Sequence, residues 1–149
     1  MSENIFRIND LQLPSELLLA IESGKWAAPS DIGRWSRLFP ASEIVRPELY
    51  SASQIKIENA DWYCESDPIY LGRADNVCEP GDLDPRRSLL IGEMQPDAMI
   101  ALDYRRSLDR PAVVYFMPFD DGYCRWILLA PDIETFIDAL SLNGKSEVH

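Results

Sequence analysis

Four apolar runs of strand length fill most of the last third of the chain, at 88–93, 98–103, 111–117 and 124–130. Turn-forming residues separate them: Gln95-Pro96-Asp97, Asp109-Arg110-Pro111 and Asp120-Asp121-Gly122. Links this short join antiparallel neighbours, because a parallel crossover takes about a dozen residues or more. The pattern predicts a meander of four sequential strands. A helix over 131–141 follows it, with Pro131 in the first turn and Asp132 and Glu134 complementing the dipole. Its residues Ile133, Phe136, Ile137 and Leu140 fall at i, i+3, i+4 and i+7, which is one apolar face. Asn143-Gly144 stops it, and 142–149 reads as a flexible tail.

The first half is predominantly helical. Pro14 suits a first turn, Leu17, Leu18 and Ile21 share a face, and Gly24 ends that helix. A second helix is predicted from Ser30 to about Phe39, closed by Pro40. Ser51-Ala52-Ser53-Gln54 has the form of a capping box and predicts a helix from Ala52 with Ile55 and Trp62 on one face. The alternation of Ile55, Lys56, Ile57 and Glu58 also suits a strand; the capping box favours the helix. Helices, then a sheet, then a helix describe an α+β fold. The chain of 149 residues fits one domain spanning 1–149, since domains commonly hold about 100–150 residues.

Charge and residue usage narrow the functional classes. With 14 Lys and Arg against 25 Asp and Glu, the chain carries a formal charge of −11 and would repel a phosphate backbone, which argues against nucleic acid as a partner. His149 is the only histidine, so Ser-His-Asp and Cys-His catalysis and His-ligated metals have no basis. Cys64, Cys78 and Cys124 form no Cys-x-x-Cys pair and read as three separate thiols in a reducing compartment. Met1-Ser2-Glu3-Asn4 lacks the basic start and apolar run of a signal peptide, and no window approaches the ~18 apolar residues of a membrane span. A soluble cytoplasmic chain is expected.

Chemistry-bearing motifs are sparse. Neither GxGxxG, GxxxxGK[ST] nor Gly-x-Ser-x-Gly occurs, and no cofactor is expected. Asp82 with Asp84, and Asp120 with Asp121, are paired carboxylates that could serve a small metal-dependent hydrolase, and Asp120-Asp121-Gly122 suits a hairpin turn better. Arg105 and Arg106 read either as an anion clamp or as solvated turn residues pairing with Asp109. Residues 64–87 look like a long loop, with Pro68, Gly72, Pro80, Gly81 and Pro85 among polar residues. Residues 61–99 carry Arg73, Arg86 and Arg87 against nine carboxylates, a net −6 and more than half of the chain's excess. The same stretch holds three aromatic residues, so the candidate partner-binding set is Asp61, Trp62, Tyr63, Glu65, Asp67, Tyr70, Asp75, Glu79, Asp82 and Asp84. No catalytic or metal-binding residue is expected, and the partner expected for such a surface is a basic protein.

Leu89-Leu90-Ile91-Gly92, Asp97 to Asp103, Pro111 to Phe116 and the helix Ile133 to Leu140 together resemble the SUKH superfamily, which holds fungal Smi/Knr cell-wall regulators and many bacterial toxin-immunity proteins. Leu13-Pro14 before the early helix resembles the same group, while 25–87 matches only loosely. The resemblance implies an α+β fold without a catalytic centre. It implies, for a bacterial member, binding and neutralising a cognate polymorphic toxin, often a nuclease; for a fungal-type member, it implies a regulatory or scaffold role.

Overall fold

In the computed structural model, residues 6–27, 48–95 and 98–139 are described. The four apolar runs pair as the sequence predicts: β5 (Ser88–Gln95), β6 (Ala98–Asp103), β7 (Ala112–Pro118) and β8 (Cys124–Ala130) form sequential antiparallel neighbours. β5 runs two residues further than expected, and β7 begins and ends one residue later. Two short strands complete the sheet, β3 (Glu48–Leu49) beside β5 and β4 (Pro80–Gly81) beside β8, giving the order β3-β5-β6-β7-β8-β4. Together with the helices this is a single α+β architecture.

Before the sheet, β1 (Arg7–Ile8) and β2 (Leu11–Gln12) form a hairpin whose turn residues, Asn9 and Asp10, both have φ above zero (54° and 68°). That is the geometry of a two-residue primed turn. Helix α1 (Ser15–Glu22) buries Leu17, Leu18 and Ala20, and the N–H of Lys25 closes on the Ala20 carbonyl at 2.9 Å just beyond its end. Helix α2 (Ala52–Trp62) has the predicted capping box: the Gln54 N–H donates to Ser51 Oγ, and the Ser51 N–H donates to Gln54 Oε1, both at 3.2 Å. α3 (Pro68–Leu71) and a 3-10 turn (Pro85–Arg87) lie in the segment expected to be open loop. The last helix, α4, spans Ile133–Ala139; Asp132 caps it by accepting from the Thr135 N–H at 2.8 Å, so Pro131 precedes the cap and is not in the first turn. The helix expected at 30–39, residues 140 and 141 of the closing helix and the tail at 142–149 lie outside the described residues.

The core is continuous. Leu89, Ile91, Ile100, Leu102 and Val113 of the sheet join Leu13 and Leu17 near the N-terminus and Phe136 and Ile137 of α4 in one buried cluster. Trp26 links these layers: its ring meets Phe136 edge-on at 6.3 Å, and its Nε1 donates to the Tyr50 carbonyl at 3.1 Å.

At one sheet edge a helix side chain takes over from a strand. β3 approaches β5 closely because Gly92 carries no Cβ, which would sit 2.7 Å from the Glu48 carbonyl oxygen. β3 ends after Leu49, and the Tyr50 N–H still reaches the Ile91 carbonyl at 2.9 Å. The next residue of β5 then pairs with buried Asn59 of α2. Asn59 Oδ1 accepts from the Leu90 N–H at 2.7 Å, and Nδ2 donates to the Leu90 carbonyl at 2.9 Å and the Ile55 carbonyl at 2.7 Å. Asn59→Leu keeps the volume and removes these bonds. Leaving two buried backbone groups of Leu90 unpaired should cost about 2–4 kcal/mol in denaturant unfolding. Ile57→Ala, on the exposed side of the same helix, should change stability by less than about 0.5 kcal/mol. Equal effects from the two would contradict this role for Asn59.

Candidate functional site

The segment 64–87 is a series of capped turns fastened to the sheet. Asp67 accepts from the Ile69 N–H at 3.0 Å and starts α3, with Pro68 at its first position. Asp84 accepts from the Arg86 N–H at 3.0 Å and starts the 3-10 turn. Between them the chain doubles back: Gly72 bridges Asp82, the Arg73 N–H donates to the Gly81 carbonyl at 3.1 Å, and the Leu83 N–H donates to the Leu71 carbonyl at 2.8 Å. Gly72 has φ +86°, and a Cβ there would lie 2.5 Å from the Gly81 oxygen and 2.8 Å from Trp126 Cδ1, so only glycine fits. The Pro, Gly and Asp content that suggested an open loop is the content of these turns.

Several acids of the candidate set are engaged by arginines. Arg125, its side chain only 2% exposed, donates from Nε and Nη2 to Asp75 (3.2 and 2.8 Å) and from Nη1 and Nη2 to Asp121 (3.1 and 2.7 Å). The guanidinium lies over Phe119 at 4.7 Å, and Arg73 stacks on Tyr123 at 3.9 Å while its Nε bonds Asp75. The Arg125 hydrogen bonds, then the Val77 N–H, hold Asp75 down at about 2; Arg125 and the Tyr123 N–H lower Asp121 likewise. Arg105 bonds Asp103 (3.1 Å) and Asp82 (3.0 Å), and Arg106 bonds Glu79 (2.8 Å). Asp75, Glu79 and Asp82 are therefore each paired with an arginine, Glu79 through a pair that is itself exposed. The partners of Arg105 and Arg106 come from residues 79–103, not from Asp109. Asp82 and Asp121 thus answer to different arginines, Asp84 caps a turn, and Asp120 sits exposed in the β7–β8 hairpin. Among the described residues no group of three or more His, Cys, Asp or Glu is placed to hold a metal ion.

Four carboxylates with no Lys or Arg partner among the described residues gather elsewhere. Glu58, Asp61 and Glu65 recur at i, i+3 and i+7 along α2 and the turn after it, and Glu93 of β5 faces them across a groove of about 220 Å³. Tyr50, Trp62, Tyr70, Leu90 and Met99 complete the groove, and no Lys or Arg lines it. Among the described residues, none of these four carboxylates pairs with a Lys or Arg. Glu65 accepts from the N–H groups of Ser66 and Asp67, at 3.2 and 3.1 Å. Tyr50 donates its hydroxyl to Glu93 Oε1 at 2.7 Å. Burial first, then Glu93, then the fields of Glu58 and Glu48 raise that hydroxyl far above the usual phenol range. The groove is an apolar, aromatic floor under a carboxylate rim.

Of the candidate set, Asp61, Trp62, Glu65 and Tyr70 come together here, while Tyr63 lies apart beneath Arg86 (5.3 Å). Trp62 is 4% exposed, packs at a tilt against Trp126 at 5.9 Å and donates Nε1 to Ser88 Oγ at 2.9 Å, so it is floor and not a protruding anchor. Tyr70 is half-buried against Phe116 at 6.0 Å. Glu58, Glu93 and Tyr50 were missed by sequence reasoning; the helical spacing of Glu58, Asp61 and Glu65 was the available signal, and Glu93 gave none.

The clasp around Arg125 makes a pH prediction. A carboxylate lowered in the fold stabilises it fully above its unfolded value of about 3.9, and that contribution disappears as pH falls through the folded value. Melting temperature should therefore drop between pH 4 and pH 2, and Asp75→Asn should flatten that slope relative to wild type. Parallel melting curves for the two proteins across this window would contradict the coupling. No family model matches this chain, and neither a curated protein nor a solved structure matches it.

Proposed function

We propose that this chain is a non-catalytic protein-binding module, an immunity protein that neutralises a cognate toxin by covering it. The observation that carries this reading is the row of carboxylates Glu58, Asp61, Glu65 and Glu93 over the aromatic floor, none of which pairs with a Lys or Arg among the described residues. Unpaired like charges beside each other gain nothing within the fold and gain most against a basic surface. A nuclease is basic around its nucleic-acid cleft, so an acidic surface both steers the encounter and competes for the cleft. The resemblance of 88–140 and 13–24 to the SUKH superfamily supports the same reading, and a toxin that acts on cytoplasmic nucleic acid calls for an inhibitor in the cytoplasm.

Co-expression with the product of the neighbouring gene tests it. The proposal expects that product to arrest growth alone and this chain to relieve the arrest. The variant Glu58→Lys/Asp61→Lys/Glu65→Lys should lose the relief and lower the association rate at low salt by about tenfold or more. These residues are exposed or half-buried, so the variant should melt close to wild type. Relief that survives the charge reversal, or a neighbouring product that neither harms cells nor binds, would overturn the proposal.

A further inference from the structure

A second groove, of about 570 Å³, opens on the other side of α3 between Ile69 and Arg73 on one wall and Gly122 and Tyr123 of the β7–β8 hairpin on the other. Its walls expose apolar surface: Ile69 is 59% exposed and Tyr123 48%. Val77, 54% exposed, lies in the turn that Asp75 closes by accepting the Val77 N–H at 3.1 Å. The walls are also tied together. Arg125 ties the Asp75 turn to the hairpin, Arg73 stacks on Tyr123 at 3.9 Å, and Gly72, at the end of α3, lies against Gly81 and Trp126. Exposed apolar surface on a rigid frame costs little ordering when a partner docks, which is the anatomy of an interface hot spot.

The two grooves share one helical turn. Tyr70 lines the acidic groove, and its neighbour Ile69 lines the apolar one. We infer that the two grooves on either side of α3 form one docking surface for a basic protein segment, whose apolar side chain seats between Ile69 and Tyr123 while adjacent Lys or Arg side chains meet Glu58, Asp61 and Glu65. This rests on the proposed basic partner and adds the anchor that acids alone lack. Charge selects the occupant. The arginines of the apolar groove are already paired with Asp75 and Asp121, leaving Asp67 and Asp120 as exposed charges nearby. A second copy of the chain would bring another −11 against this acidic surface, so self-association is disfavoured.

A displayed library of random peptides, selected on the full chain, is the probe. Binders should carry an aromatic or aliphatic residue flanked by Lys or Arg. Ile69→Asp and Tyr123→Ser should each weaken them by about tenfold or more, and Tyr123→Ser, which alters no charge, should leave the salt dependence little changed. Glu58→Lys/Asp61→Lys should weaken them and flatten the salt dependence. Ile69 is exposed on a four-residue helix, so its variant keeps the test alive if Tyr123→Ser fails to fold. Basic binders that ignore Ile69→Asp but fail on the acidic variant would overturn the apolar anchor and leave the acidic reading standing. Binders without positive charge, or none at all, would overturn both. Self-association abolished by Ile69→Asp, or amide shifts from that variant reaching residues 28–47, would assign the groove to another copy or to the chain itself and overturn the inference.

Discussion

The buried indole of Trp126 organises everything that makes the candidate surface. It is fully enclosed, its Nε1 donates to the Tyr70 carbonyl at 2.9 Å, and its ring packs on Phe116 (5.1 Å) and Trp62 (5.9 Å). Gly72 crosses against its Cδ1, its backbone pairs with Gly81, and its carbonyl accepts from Cys78 Sγ at 3.6 Å. α2, α3 and the return strand β4 thus take their positions from the side chain and backbone of one residue on β8. Enclosing an aromatic ring of this class removes roughly 150–250 Å² from water, worth about 4–6 kcal/mol at ~25 cal/mol per Å². Satisfying its N–H with a backbone carbonyl of α3 makes that burial specific as well as favourable. A segment rich in Pro, Gly and Asp has no core of its own and holds its shape by docking here.

The acidity of the surface follows from where the cations are engaged. Arg73, Arg105, Arg106, Arg110 and Arg125 all face carboxylates, most of them brought together from distant parts of the chain. Asp75 and Arg125 are fifty residues apart, and Asp82 and Arg105 twenty-three. These pairs neutralise the acids of residues 75–84 that lie near the hairpin. Among the described residues no Lys or Arg lines the α2 groove, where burial first and then Glu93 raise the Tyr50 hydroxyl. Overall charge and local charge are separate quantities here, and only the second marks a surface.

The elements whose residues satisfy their own local rules were legible. The four strands, the Ser51–Gln54 capping box, the apolar face of α4 and the Asp120-Asp121-Gly122 turn each follow from neighbouring residues. The hairpin at Asn9-Asp10 and the two-residue strands β3 and β4 were not, because so short a strand has no period and exists only through its partner. The same divide runs through the site. Asp61, Glu65 and Tyr70 were found because they are close in sequence, while Glu93 and Tyr50 join them only through the β3–β5 pairing. Asp75, Glu79 and Asp82 pair with arginines across the fold, which no local signal in the sequence shows.

Hydrogen exchange on the chain, alone and bound to the product of the neighbouring gene, measures directly where a partner sits. An interface built on both sides of α3 predicts new protection at 58–71 and at 119–124, with α1 and α4 unchanged. Protection confined to α1 and α4, or none despite binding, would contradict the placement of the interface.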